Sequence, residues 1–189
     1  MTPDAFDVLG MKPAYSMDPA EIERAYLTRV ASCHPDLARS DPARASEAAT
    51  RAAALNQARN TLLNDEKRGW ALLGRLWTDT QSNDNQGDRD ELPDGFLLEM
   101  METRLLIEEA LASCDATRIE QWREWAQTQR AGYKSTIAAC FARIEALSPD
   151  SEHPETIQTR SETTDIFHKI RSQLNAWRYI ERLIEQFPA

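Results

Sequence analysis

The feature that most limits how this chain can fold is a pair of Asp-Pro helix starts, Asp18-Pro19 and Asp41-Pro42, with a third proline, Pro35, set between them. An aspartate caps the free amides of a first turn and a proline fits the first helical position, where its missing N–H costs nothing. Glu21, three residues after Asp18, is placed to complete a capping box. Ile22, Tyr26, Val30 and Cys33 then recur at helical spacing and form one stripe to bury. Pro35 disfavours helical geometry at His34, so the helix ends there. A second, alanine-rich helix runs from Pro42 through Leu55, Ala58 and Leu62 to Asn64. Two antiparallel helices joined by a tight loop that displays His34, Pro35 and Asp36 are the expected result. A short apolar turn around Phe6, Val8 and Leu9, stopped by Gly10, precedes this hairpin. The segment "EKRGWALLGRLW", with Trp70, Leu73 and Leu76, follows it as a last short helix.

Between Thr78 and Leu92 the run "TDTQSNDNQGDRDEL" has no apolar period and reads as a linker. Beyond it three longer helical patterns, Pro93 to Ser113, Ala116 to Leu147 and Pro154 to Phe187, are separated by short polar connections. They predict an antiparallel three-helix bundle. With almost no strand-like alternation anywhere, the fold class is all-α. The organisation is a unit over 1–77, a linker over 78–92 and a bundle over 93–189. Charge divides along the same line: Met1 to Trp77 holds ten Lys/Arg and ten Asp/Glu, and the remainder twelve and twenty-one, so the net charge of −9 lies wholly in the second part. That balance argues against nucleic acid as a partner. The N-terminus "MTPDAFDVLG" lacks the pattern of a secretory or transit signal, and no apolar run reaches the ~18 to 20 residues that span a bilayer. The expected location is the cytoplasm, with no membrane partner. Cys33, Cys114 and Cys140 are widely spaced and never in a CxxC pair, which points to idle thiols rather than a disulfide framework or a metal site.

His34-Pro35-Asp36 in a loop between antiparallel helices resembles the signature of J-domains, the modules that stimulate ATP hydrolysis by DnaK-type chaperones. The likeness continues through "DVLG", "YLTRVASCHPD", "LNQARNTLLNDEKRGWALL", "LPDGFLLEMMETR" and "WRYIERL", in that order and over nearly the whole chain. This pattern is similar to that of the HscB family of J-type co-chaperones for iron-sulfur cluster assembly. The resemblance implies that Asp36 meets an arginine of the chaperone's nucleotide-binding domain, a charge-assisted contact that is strong when shielded from water. It implies that Pro35 stiffens the corner and that His34 supports its geometry. Basic residues of the helix before the loop steer the encounter in such proteins, and the candidates here are Arg24 and Arg29. The chain departs from the pattern in two places. Leu37 stands where many J-domains have a basic residue, and Arg29 occupies a position where the family commonly has an apolar one, so it can also snorkel from the helix pair.

On the helix that begins near Pro93, Phe96, Met100, Ile107 and Leu111 share one narrow stripe, enough to face a bundle. At ~100° per residue, Leu98, Met101 and Leu105 fall nearly opposite, with Leu97 between. A second apolar face needs a second surface, either the first unit or a partner. On the last helix Ile170, Trp177, Ile184 and Phe187 form the expected core line, and Tyr179 is offset from Trp177 by ~200°. The HscB resemblance implies that the scaffold protein IscU is bound here, at Leu97, Leu98, Met101 and Tyr179. The functional expectation is a non-enzymatic co-chaperone without cofactor or metal. It would stimulate the ATPase of a DnaK/HscA-type chaperone and deliver IscU to it. The competing reading is a J-domain protein for another client whose bundle only supports the first unit. An enzyme using Cys33 and His34 is disfavoured, because adjacent residues at a helix end point apart and nothing is spaced to orient the imidazole.

Overall fold

The structure is a computed structural model that describes residues 3–33, 42–77, 92–147 and 157–188. Among the described residues there are seven α-helices and no strand, as the periodicity predicts: α1 (Ala5–Leu9), α2 (Pro19–Val30), α3 (Pro42–Leu63), α4 (Asp65–Trp77), α5 (Phe96–Ala112), α6 (Ala116–Leu147) and α7 (Ile157–Ile184). A single 3₁₀ turn, Ala31–Cys33, finishes α2. The chain divides into two compact units, Met1–Thr80 and Gln81–Ala189.

In the first unit each helix boundary has a visible local cause. Asp4 caps α1 by accepting from Asp7 N at 2.9 Å, and the Asp7 carboxylate accepts from Asp4 N at 3.4 Å. A capping box therefore sits on α1. On α2, where the sequence suggests one, Asp18 accepts from Ala20 N at 2.9 Å, while Glu21 turns instead toward Arg24, 3.8 Å away. Gly10 ends α1 at φ 55, a left-handed geometry that glycine adopts without a Cβ penalty. Pro19 holds the first position of α2.

The core of this unit is Phe6, Leu9, Ile22 and Leu62, all fully buried, closed over by Leu55, Ala58, Leu72 and Leu73. The expected α2 stripe is only partly realised. Ile22 is inside, but Tyr26 and Val30 are half-buried, and the Cys33 side chain lies outside the described set. Tyr26 works as a polar tie instead. Its hydroxyl donates to Asn56 Oδ1 at 2.7 Å, and the Arg59 guanidinium lies over its ring, 5.3 Å from the centroid. Arg59 in turn grips Glu23 with Nε at 2.8 Å and Nη2 at 2.5 Å, so α2 and α3 are joined by a fork as well as by apolar packing.

The segment α4 also differs from its sequence reading. Leu73 is buried as expected, but Trp70 and Leu76 are half-buried, and their expected places are taken by Leu72 and Arg68. A helical period identifies a face, not which long polar side chain will be drawn under it. Arg75, at the end of α4, reaches back to the start of α1, with Nη1 2.6 Å from Asp4 Oδ2 and 2.9 Å from Asp7 Oδ1.

The second unit is a three-helix bundle in which each helix packs against both others. Its core joins Phe96, Met100 and Ile107 of α5 to Ala126 of α6 and to Ala176, Ile180 and Leu183 of α7. Ile137, Phe141, Phe167, Ile170 and Leu174 are buried as well. Helix α5 starts at Phe96 rather than Pro93, because Gly95 adopts φ 75 just before it. Asp115 caps α6 through Thr117 N and Arg118 N, both at 3.1 Å. On α7, Ile170 and Trp177 are buried as expected, whereas Ile184 and, just past the helix end, Phe187 are half-buried, and Leu174, Ile180 and Leu183 complete the line.

Candidate partner-binding surfaces

His34, Pro35 and Asp36 lie outside the described residues, between the 3₁₀ turn that closes α2 and the Pro42 start of α3. The two arginines of α2 fall in different environments. Arg24 is exposed, paired only loosely with Glu21 at 3.8 Å. Arg29 is half-buried, and its guanidinium lies against Gly10: a Cβ at that position would stand 1.9 Å from Arg29 Nη2. Arg24 is thus on the open face of α2, and Arg29 covers the end of α1, the snorkelling geometry noted for it in the sequence. Leu27, 60 % exposed, sits on the same helix and was not singled out from the sequence.

On α5 the two faces separate as helical arithmetic requires. Phe96, Met100 and Ile107 are buried, while Leu98 and Met101 are 65 % and 66 % exposed, and Leu97 is exposed beside them. Leu105, also 65 % exposed, extends the arc by a turn, and Leu106 lies at its margin. An exposed apolar row of this size on one helix is more than scattered surface leucines and marks a place for another surface. Charges frame it: Arg104 Nε and Glu108 Oε1 pair at 2.7 Å along the same helix.

Tyr179 on α7 is 36 % exposed and stands edge-on to the Phe96 ring, 5.6 Å between centroids at 78°, with the Arg182 guanidinium 5.8 Å from its own ring centre. Through Phe96, the residue before Leu97, Tyr179 adjoins the start of α5. Leu105 and Leu106 are the residues that the named contact set omitted, although helical phase alone already placed Leu105 on that side.

Among the described residues no group of three or more His, Cys, Asp or Glu side chains is arranged to hold a metal ion. Cys114 is exposed and Cys140 is buried, both as free thiols. Burial pushes the Cys140 thiol up, against a smaller downward pull from Lys169. A thiol held in its neutral form is a poor nucleophile. Among the described residues no helix is long and apolar enough to cross a membrane.

Comparison with known proteins follows the same division of the chain. The DnaJ domain family matches residues 4–70. A relative from Cupriavidus taiwanensis, named Co-chaperone protein HscB homolog, is 30% identical over 129 residues, 67% of this chain and 71% of that protein. The chain belongs to the HscB co-chaperone family. An HscB homolog from Chromobacterium violaceum is 32% identical over 114 residues, 60% of this chain, and the match spans less than two thirds of that relative, 63%. One from Bordetella petrii is 24% identical over 189 residues, 98% of this chain and 95% of its own length. The fold agrees with that of two solved HscB structures. The human co-chaperone protein HscB superposes with a TM-score of 0.71 at 19% identity, over 98% of this chain and 81% of that one. The chaperone HscB from Vibrio cholerae gives 0.63 at 19% identity, over 98% and 99%. As an HscB-type J-domain protein, the chain is a co-chaperone and not an enzyme.

Proposed function

We propose that this HscB-family protein stimulates the ATPase of a DnaK/HscA-type chaperone through its J-domain and brings an IscU-type iron-sulfur scaffold protein to that chaperone on its bundle. Asp36 supplies the anchor carboxylate, Pro35 and His34 shape its corner, and Arg24 contributes long-range attraction. Arg29 contributes less, because its guanidinium is engaged at Gly10. Leu97, Leu98, Met101 and Tyr179 form the scaffold contact. In free-energy terms the protein shifts the chaperone between conformations by binding one of them better, and the hydrolysis chemistry belongs to the chaperone.

The observation that carries this reading is the exposed row on α5, where Leu98 and Met101 are about two-thirds accessible on a helix whose other face already fills the bundle core. The test is a titration of chaperone ATPase rate with this protein, with and without the scaffold. The rate should rise with the protein and rise further when the scaffold is added. A flat response to the protein alone rejects the J-domain role, and an identical response with and without scaffold rejects the delivery role.

A further inference from the structure

The last turn of α2 has little core beneath it. Among the described residues of that helix Ile22 alone is buried, and it lies near the other end. Glu23 and Tyr26 tie the middle of the helix to Arg59 and Asn56 of α3, but Leu27 and Thr28 are exposed and Val30 is half-buried. Arg29 is the residue of this turn that reaches another element. Its side chain runs to Gly10, where a Cβ would overlap Nη2 and stand 2.9 Å from Cζ, so the guanidinium fills the space that the glycine leaves open. Gly10 is a fixed platform. Its N–H donates to Asp7 O at 3.0 Å, the Met11 N–H donates to Phe6 O at 2.9 Å, and Phe6 and Leu9 are fully buried beneath. The Arg29 carbonyl in turn accepts from the Ser32 hydroxyl at 2.6 Å. One residue therefore joins the end of α1, through its side chain, to the 3₁₀ turn Ala31–Cys33, through its backbone, immediately before His34.

A cation that serves to attract a partner does so best from an open face, where Arg24 stands. Arg29 is half-buried, and a flat, weakly hydrated guanidinium packs against backbone at lower cost than an ammonium does. We infer that Arg29 is a positioning residue: by bridging the end of α1 and the last turn of α2 it fixes the point from which the chain sets out toward Asp36. The inference rests on the J-domain reading given above and gives Arg29 a role in it other than charge. The two roles differ in what they change. Attraction acts on the encounter, so its loss raises the concentration needed and is masked by salt. Position acts on the docked complex, so its loss weakens the bias placed on the bound chaperone and lowers the maximal stimulated rate. A variant that merely folded less would need more protein but would reach the same maximum.

The test titrates the ATPase rate of a DnaK/HscA-type chaperone with the full chain at low salt and at about 0.3 M salt, reading the maximal rate and the half-saturating concentration separately. Wild type is compared with Arg24→Gln, Arg29→Lys, Gly10→Asn, and Gly10→Asn with Arg29→Lys. Lysine keeps the charge without the fork. Asparagine tolerates the left-handed backbone, yet its Cβ drives the guanidinium off Gly10 while leaving the charge of Arg29 on the chain. Arg29→Lys and Gly10→Asn should each lower the maximal rate about threefold at both salt concentrations, and the double variant should be no worse than either, as for two residues of one contact. Arg24→Gln should raise the half-saturating concentration at low salt and keep the maximum. A wild-type maximum in Arg29→Lys, a loss confined to the half-saturating concentration, or losses that add in the double variant overturn the inference. If circular dichroism shows Gly10→Asn misfolded, Arg29→Lys decides by the same criteria. A wild type that does not stimulate at any concentration overturns the J-domain reading itself, whereas stimulation that Arg29→Lys leaves untouched overturns the positioning role alone.

Discussion

A carboxylate at a protein surface is ordinarily worth little, because water solvates it as well as a partner does. What makes Asp36 different in the proposed role is desolvation on docking: once water is excluded, the carboxylate needs a cation, and a wrong partner leaves it unpaired. Asp36→Asn keeps the size and removes the charge. It should abolish stimulation of the chaperone ATPase while circular dichroism and thermal unfolding stay as in wild type, and residual stimulation near the wild-type level would remove Asp36 from the anchor role. Arg68 shows the same physics turned inward. It is 5 % exposed, its Nε donates to Tyr15 O at 2.6 Å, its other nitrogens reach Leu62 O and Asp65, and its guanidinium lies 5.4 Å from the Tyr15 ring centre. Arg68→Met should cost the first unit about 3 kcal/mol in chemical denaturation, since it strips three acceptors at once. Lysine should not restore the loss, because an ammonium cannot serve that spread of acceptors. The sequence near Arg68 offers only Asp65, three residues before it; the other acceptors, Tyr15 O and Leu62 O at the end of α3, are brought to it by the fold.

At the scale of elements, legibility follows how local the cause is. The Asp18-Pro19 start of α2, the Gly10 stop of α1 and both ends of α6 could be read because a cap, a left-handed glycine or a proline acts within one turn. The stripe on α5 could be read because a period of 3.6 separates Met100 from Met101 without knowledge of the neighbours. Tyr26 and Arg29 were harder, since their fates are set by Arg59 and Gly10 across the unit. Helix pairing in the bundle depends on one such cross-element contact. Glu181 is partly buried, which raises its pKa, but a forked bond from Arg130 and a 2.6 Å bond from the Trp177 indole N–H outweigh burial and hold the carboxyl below its ordinary value of 4.5. A carboxyl with a lowered folded pKa stabilises the fold fully above about pH 4.5. That stabilisation is lost as pH falls through the lowered value. Glu181→Gln should therefore lower the stability of the bundle by about 1 kcal/mol at neutral pH, a discounted figure for a pair in which Arg130 is nearly half exposed. The variant should also show a flatter decline below pH 4.5, measured by urea denaturation across pH. An unchanged acid limb would show that Glu181 does not set the acid sensitivity of the α6–α7 pair.

For the whole molecule the question is why one chain should hold two units at all. If the J-domain sufficed, the bundle's exposed row would be a liability, because contiguous apolar surface invites aggregation unless something covers it. If the bundle only held a client, the chaperone would meet that client no more often than by chance. In the proposed role, joining them raises the local concentration of the scaffold at the chaperone, which changes the apparent affinity without any new contact. The consequence is a separation of effects that neither unit alone could show. Leu98→Ser with Met101→Ser alters two exposed positions that the core does not use, so folding should be unaffected, and ATPase stimulation by the protein without scaffold should match wild type. With scaffold present, the extra stimulation should vanish and direct binding should weaken at least tenfold, the loss expected when two large side chains at the centre of an interface are cut back. Asp36→Asn should give the reciprocal pattern, with scaffold binding intact and stimulation gone. Measured together in one ATPase titration and one binding titration, the two variants form a crossed pair. A Leu98/Met101 variant that lost stimulation without scaffold, or kept the scaffold's extra effect, would mean that the α5 row serves the J-domain and not a client.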